Sequence, residues 1–447
     1  MSTATSPRRS ALFVYGPLEV DEANGALHCN YFLDGRRFSE VVQVGPGYEW
    51  GPAAKEAARL VHLLAGVSYY KAGAPPVIDV GATELRPGER EFLRHYYIEG
   101  LGEFAFRNGL SLEDLQVVGG AEAGLPNPAK MCPESLLVPF GGGIDSVVTV
   151  GAVRELSPGT ALFVVSPHGA PRFEAIERAV EAVGLPVVRA EREVDRELSA
   201  QPGQVFNGHV PVTAIVSAIA VLCAVLTGRG QVVMSNEWSA SRGNLVSGER
   251  AVNHQYSKSA DFEDRFRAVL AAAFAQTVDY FSFLRPFSEL WVARRFANME
   301  RFHPVVHSCN RAFYLDPAKR LDHWCGRCDK CCFIDLILSP FMSRQALGGI
   351  FDGSEPLDDP TLLQSFRTLL ALGEAAKPFE CVGDPDECRS AAALAAARPD
   401  RAGSPVLQAL VSELAGSAGS ARAAASKLFQ PLASHNVPNG LLTAALG

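Results

Sequence analysis

Leu136-Leu137-Val138-Pro139-Phe140-Gly141-Gly142-Gly143-Ile144-Asp145-Ser146-Val147-Val148-Thr149-Val150 is the stretch from which the rest of the chain is read. An apolar run ends in three glycines, and Asp145 and Ser146 then open a helical pattern. Consecutive glycines let the backbone take positive φ and leave no side chain between the amides and a ligand. The helix start adds free N–H groups and the positive end of its dipole. Strand, glycine turn and helix together predict a cradle for a di- or triphosphate. No Gly-Lys-Ser/Thr follows, as in a Walker loop, and there is no G-x-G-x-x-G of a dinucleotide site. The plain alternative is a glycine turn that holds no ligand.

Outward from this stretch, strand and helix patterns alternate. Residues 161–166 read as a strand, 173–183 as a helix, 187–190 as a strand, 210–228 as a helix and 231–234 as a strand. Such alternation predicts an α/β fold with a parallel sheet, whose ligands sit at the carboxyl ends of its strands. Gly141–Ser146, Ser166-Pro167-His168 and Ser235-Asn236-Glu237 then share one rim. Ahead of the sheet, Asn24-Gly25 and Asp34-Gly35 are hairpin turn pairs. They separate strand-like runs at 11–18, 27–33 and 36–44, a three-stranded meander. Residues 53–65 are predicted helical, as are 89–108, where Gly100 and Gly102 are placed to break the helix. The aromatics of that second stretch read as core.

Net charge is −8 and no basic run offers a footprint for nucleic acid. The start of the chain lacks the apolar segment of a secretory signal. The uncharged stretch 210–228 approaches spanning length, but its Ala, Ser and Thr content and Pro211 favour a buried helix. A cytoplasmic protein without a membrane partner is expected. Oligomeric state is left open.

Four of ten cysteines, Cys309, Cys325, Cys328 and Cys331, supply the thiolate count of a structural zinc site. Gly326 allows the tight turn, and Arg327 and Lys330 are placed to offset the charge. A redox C-x-x-C and an iron–sulfur cluster remain alternatives. Cys332 reads as a packed thiol, while Cys381 and Cys388 are unassigned.

Gly141-Gly142-Gly143-Ile144-Asp145-Ser146 resembles the Ser-Gly-Gly-x-Asp-Ser signature of the PP-loop ATP pyrophosphatases, with Gly141 in place of the first serine. That superfamily cuts ATP between the α and β phosphates. The cysteine group is similar to the zinc-binding tail of 7-cyano-7-deazaguanine synthase, although about 135 residues precede the loop here. Four further phrases extend the resemblance: 65–71 (AGVSYYK), 207–213 (NGHVPVT), 235–241 (SNEWSAS) and 253–259 (NHQYSKS). Together with the loop and the cysteines they look like the UDP-N-acetylmuramoyl-L-alanyl-L-glutamate epimerase family, over about Tyr15 to Met342.

The resemblance implies ATP- and magnesium-dependent inversion of a terminal L-glutamate in a small-molecule peptidoglycan precursor, through an acyl-adenylate. The expected architecture is α/β: a disordered N-terminus 1–10, an N-terminal α+β domain 11–135, a PP-loop (adenine nucleotide α-hydrolase-like) domain 136–340 with the zinc site, and a helical C-terminal region 341–447 without obvious chemistry. Gly141, Gly142, Gly143, Asp145, Ser146, Ser166, Ser235 and Asn236 are the nucleotide-binding candidates, with Asp145 either holding magnesium or ordering the loop. His209, Glu237, His254, Tyr256 and Lys258 are the candidates for proton transfer, and Ser68, Tyr69, Tyr70 and Lys71 for substrate contacts. Another carboxylate-adenylating PP-loop enzyme, forming an amide or nitrile, is the first alternative. A non-catalytic, zinc-stabilised nucleotide-binding protein is the second.

Overall fold

Three strands, β1 (Leu12–Asp21), β2 (Ala26–Leu33) and β3 (Arg36–Gln43), form the antiparallel meander. The computed structural model describes residues 7–199, 205–247, 250–314, 316–373, 378–414 and 425–446. The β2–β3 hairpin turns on Asp34 (φ 47°) and Gly35 (φ 83°), the two positive values a type I′ turn needs. Of the stretch 1–10, residues 1–6 lie outside the described residues. Arg9 pairs with Asp114 at 3.0 Å, and Ser10 N–H donates to the Gly73 carbonyl at 2.8 Å.

Next come α1 (Pro52–Ala65), α2 (Val67–Tyr70), β4 (Val77–Asp79), β5 (Glu84–Leu85), α3 (Glu89–Gly100), α4 (Gly102–Asn108), β6 (Gln116–Val118) and β7 (Ala121–Glu122). The helical stretch does break at Leu101, between Gly100 and Gly102. Phe92, Tyr96, Tyr97 and Phe104 are buried, whereas Phe106 is largely exposed.

The second half alternates: β8 (Cys132–Pro139), α5 (Ile144–Val153), β9 (Ala161–Pro167), α6 (Glu174–Val183), β10 (Val187–Glu193), α7 (Val212–Thr227) and β11 (Arg229–Met234). A ribbon of β12 (Leu245–Ser247) and β13 (Arg250–Val252) precedes α8 (Ala260–Phe274), β14 (Asp279–Ser282), α9 (Glu289–Ala297) and α10 (Asp329–Leu338). Helices α11 (Arg344–Ile350), α12 (Leu363–Leu369), α13 (Pro385–Ala395), α14 (Pro405–Glu413) and α15 (Asn439–Leu446) follow.

One mixed sheet of ten strands runs β14-β11-β8-β9-β10-β3-β2-β1-β4-β6 and is mostly parallel. It is continuous across residues 135 and 136, because β3 pairs antiparallel with β10. Arg192 and Glu40 seal that seam with a buried two-point ion pair at 2.7 and 2.9 Å.

Alternate residues of the parallel strands enter opposite cores, as a sheet covered on both faces requires. Leu137, Phe163 and Val232 pack with α1 and α7. Leu136, Val138, Leu162 and Val233 pack with α5, α9, α10 and the C-terminal helices. Helix α7 is the uncharged stretch, and its burial in the first core explains its apolar surface. Among the described residues no helix is long and apolar enough to cross a membrane.

Candidate active site

In the parallel half, β8 lies between β9, which follows it in the chain, and β11, which comes much later. The strand order therefore reverses between β8 and β11, and in open α/β sheets the crevice at such a point holds the ligand. Both loops leaving that crevice are polar or glycine-rich: 141–146 after β8 and 235–237 after β11. They line a cavity of about 390 Å³.

The three glycines of the loop differ in their need to be glycine. Gly142 has φ +72°, and a Cβ there would stand 3.1 Å from the Ile176 backbone. Gly141 would meet nothing within 4 Å, and Gly143 only the Ser308 Cβ at 3.7 Å. Backbone geometry therefore demands glycine at Gly142 alone. The open space at Gly141 and Gly143 belongs to this cavity. Gly143 is the N-cap of α5, whose first amides carry no intrahelical partner. The hydroxyls of Ser235 and Ser308 line the same cavity and are buried without a hydrogen-bond partner. Buried polar atoms left unpaired cost free energy, so this lining suits an anionic, hydrogen-bonding ligand such as a triphosphate. Ser146 Oγ donates to the Gly143 carbonyl at 2.9 Å and so braces the turn. Asn236 is pinned to β14 by Ser282, whose hydroxyl donates to its carbonyl at 2.7 Å.

Charge in the cavity is divided. Burial and the neighbouring Glu237 push the Asp145 carboxyl up to about 6, against the pull of Lys330 and Lys258. Glu289 and Glu387 are likewise raised, chiefly by burial. Lys258 stays protonated: burial opposes its charge, but Cys381, Glu237 and Asp145 more than compensate. Arg285, fully buried, fastens the 235–237 loop to the segment at Lys258, donating to the Glu237 carbonyl at 3.0 Å and the Lys258 carbonyl at 2.6 Å. Its own charge is met by Glu263 at 3.1 Å.

The expected proton-transfer residues fall in different places. Lys258 lines the cavity, and Glu237 is buried beside it, accepting from the Ser239 hydroxyl at 3.2 Å. His254 bonds through Nδ1 to the Glu103 carboxylate and acts electrostatically on the Cys381 thiol. His209 lies against His254 with ring centroids 4.1 Å apart. Tyr256 is directed away from this group, its hydroxyl donating to Asp261 at 2.9 Å. Ser166 is buried one strand further from the crevice, and His168 bonds Glu191 at 2.8 Å on the surface.

Ser68, Tyr69 and Tyr70 are core rather than substrate contacts, because their polar atoms are committed within the fold. Ser68 accepts from Arg192 at 3.0 Å, Tyr69 from the Asp195 N–H at 3.1 Å, and Tyr70 donates to the Pro75 carbonyl at 2.9 Å. Lys71 holds the loop before His209, donating to Asn207 Oδ1 and the Gly208 carbonyl at 3.1 Å.

The C-terminal region, expected to carry no chemistry, contributes Cys381 to the cavity wall. No local spacing ties Cys381 to the loop, so only the fold reveals it. Glu387 of α13 straps this region to α9 by accepting from the Glu289 N–H at 2.8 Å.

Cys309, Cys325, Cys328 and Cys331 converge, with all four sulfurs within 4.8 Å of one another. Three separations are 3.5, 3.6 and 3.9 Å. A tetrahedral zinc ion with Zn–S bonds of about 2.3 Å has thiolates about 3.8 Å apart, so the group fits one such ion. Arg327 and Lys330 do not offset its charge as expected. Arg327 pairs with Asp359 at 3.2 Å, and Lys330 donates to the Cys381 carbonyl at 2.7 Å. The N-terminus of α10, with Cys328 as N-cap, supplies the positive field instead.

Comparison with known proteins agrees along the chain. Residues 4–283 match the family model of the MurL N-terminal domain, and residues 305–425 that of the MurL C-terminal domain. A protein of Micromonospora sp. named UDP-N-acetyl-alpha-D-muramoyl-L-alanyl-L-glutamate epimerase is 39% identical over 444 residues, 96% of this chain and 97% of its own. Proteins of the same name are 40% identical in Xanthomonas oryzae, over 78% of this chain and 76% of theirs, and 37% in Salinispora tropica, over 95% and 93%. With both domain models matched and relatives at this identity spanning nearly its whole length, the chain belongs to the MurL family of epimerases, which are isomerases.

Proposed function

We propose that this chain inverts the terminal L-glutamate of UDP-N-acetylmuramoyl-L-alanyl-L-glutamate to D-glutamate, using ATP to form an acyl-adenylate and releasing AMP and pyrophosphate. The substrate is that of its named relatives. The observation that carries the chemistry is one cavity holding both a phosphate-type glycine loop and buried acid–base groups. On this reading the parallel half is a PP-loop domain, and the step belongs to cytoplasmic synthesis of peptidoglycan precursors.

Activation has a simple physical purpose. The α-hydrogen beside a free carboxylate is hard to remove, because the carbanion would sit next to a negative charge. Joined to the α-phosphate of AMP as a mixed anhydride, with pyrophosphate leaving, that carboxyl loses its charge and its carbonyl accepts the electron pair as an enolate. Gly141, Gly142, Gly143 and Ser146 then cradle the phosphates, while Ser235, Ser308 and Asn236 offer hydrogen bonds. A magnesium ion held by Asp145 would neutralise phosphate charge. Lys258 and Lys330 add positive charge where negative charge develops. Removing the α-hydrogen and returning one to the opposite face is general acid–base work. Hydrolysis of the adenylate completes the turnover.

Incubation with ATP, magnesium and the muramoyl dipeptide tests this, with pyrophosphate followed and the glutamate resolved by chirality after acid hydrolysis. Pyrophosphate together with D-glutamate is the expected result. Pyrophosphate without inversion would transfer the adenylating cavity to another carboxylate. ATP binding without either product would make the protein a non-catalytic nucleotide binder.

A further inference from the structure

Resting on that functional reading, we infer that Cys381 is the base that takes the α-hydrogen, its thiolate held between Lys258 and His254. Cys381 shares the cavity wall with Gly143, Asp145 and Lys258. Lys258 Nζ lies 3.3 Å from its sulfur, and Lys330 fixes its carbonyl. His254 neighbours the thiol and bonds the Glu103 carboxylate through Nδ1. Glu103 is braced in turn by Arg107 at 2.5 Å.

Carboxylate, imidazole and thiol thus stand as neighbours, a grouping in which an imidazolium favours a thiolate. Glu103, His209 and His254 also cluster closely enough to suggest a metal. His254 Nδ1, however, is already engaged by Glu103. Nor is Cys381 among the four clustered thiols.

The surrounding charges favour the ionised sulfur. Lys258, Lys330 and His254 face it; Glu380 adjoins it in the chain, and Asp145, Glu237, Glu103 and His209 lie one group further away. Burial alone would raise the thiol, but Lys258, His254 and Lys330 draw it down to about 6. His254 is raised to about 9, where neighbouring Cys381 and Glu103 outweigh burial. Burial and the neighbouring His254 charge push His209 down to about 4, so it stays neutral and does not compete as the cation.

In the step itself the Cα–H bond breaks and its proton passes to sulfur. The electron pair moves into the acyl carbonyl, giving an enolate beside the two ammonium groups. A proton from water then reaches the opposite face, and the thiol returns its own proton to water.

The test compares wild type and Cys381→Ser in deuterium oxide with ATP, magnesium and the muramoyl dipeptide. The single-turnover pyrophosphate burst, the deuterium at Cα and the chirality of the glutamate are measured. The expected result is a burst within a few-fold of wild type, with inversion and deuterium uptake reduced by about 10²–10⁴-fold, the range of general acid–base catalysis. Inversion at the wild-type rate in the variant overturns the inference and leaves the epimerase reading standing. Equal loss of burst and inversion also overturns it, since Cys381 would then serve binding or structure. A wild type without inversion overturns the functional reading itself. Should the variant not fold, alkylation of the wild type with iodoacetamide, mapped by mass, decides. Inversion lost at full Cys381 modification with the burst kept supports the role, and inversion surviving it refutes the role.

Discussion

Gly142 carries the strained conformation of the glycine loop, and its substitution should be felt in folding as well as in binding. A left-handed conformation costs a non-glycine residue about 1–2 kcal/mol, and the added Cβ must also displace the Ile176 backbone. Gly142→Ala is therefore expected to lower stability by about 1–3 kcal/mol and to weaken ATP binding, read by thermal melting and nucleotide titration. Gly141→Ala should melt as the wild type does and yet bind ATP less well, because its Cβ enters open space. The loop was legible because its chemistry is contiguous in sequence. Cys381 was not: it reaches Lys258 across 123 positions through tertiary packing, and no spacing rule describes such a pair. Tyr256 shows the converse, a polar residue inside a conspicuous phrase whose hydroxyl is turned to Asp261.

Helix α10 joins two functions over one turn. Cys328 and Cys331 face the other thiols, while Lys330 between them reaches the cavity wall. Cys328→Ser should reduce zinc content below one ion per chain, lower the melting temperature and weaken ATP binding together. Metal analysis, melting and nucleotide titration on one preparation check this, and unchanged metal content would refute the four-thiolate site. The cysteine spacing was readable because a turn and a helix start place the sulfurs locally. The direction of Lys330 was not, since proximity in sequence to thiolates suggested a charge role that the helix N-terminus performs. The meander, the alternating strands and the break between Gly100 and Gly102 were also readable from turn pairs and periodicity.

The seam between β3 and β10 makes one sheet of what the sequence pattern divides into two regions. Patterning reports which face of a strand is buried, not which strand lies beside it, so the pairing was invisible beforehand. Removing one partner of a buried ion pair leaves a stranded charge, at a cost of about 3–5 kcal/mol. Arg192→Ala should therefore destabilise the whole chain by that amount, measured by denaturant unfolding, and Arg192→Met with Glu40→Met should recover much of it. Acid sensitivity has a separate source. Burial holds His62 neutral in the folded chain down to about pH 4, whereas an unfolded imidazole takes its proton near about 6.5. Its contribution is complete above that higher value and is lost as pH falls toward the lower one, by about 3 kcal/mol. Melting followed through that window should show the loss, and His62→Gln should lessen it. The wall supplied by Cys381 also gives the molecule an order of assembly. Because Cys381 follows all of them in the chain, the glycine loop, the four clustered cysteines and the ten-stranded sheet leave the ribosome before the cavity can close. A nascent or prematurely terminated chain thus owns a glycine-loop cavity that is still open on one side.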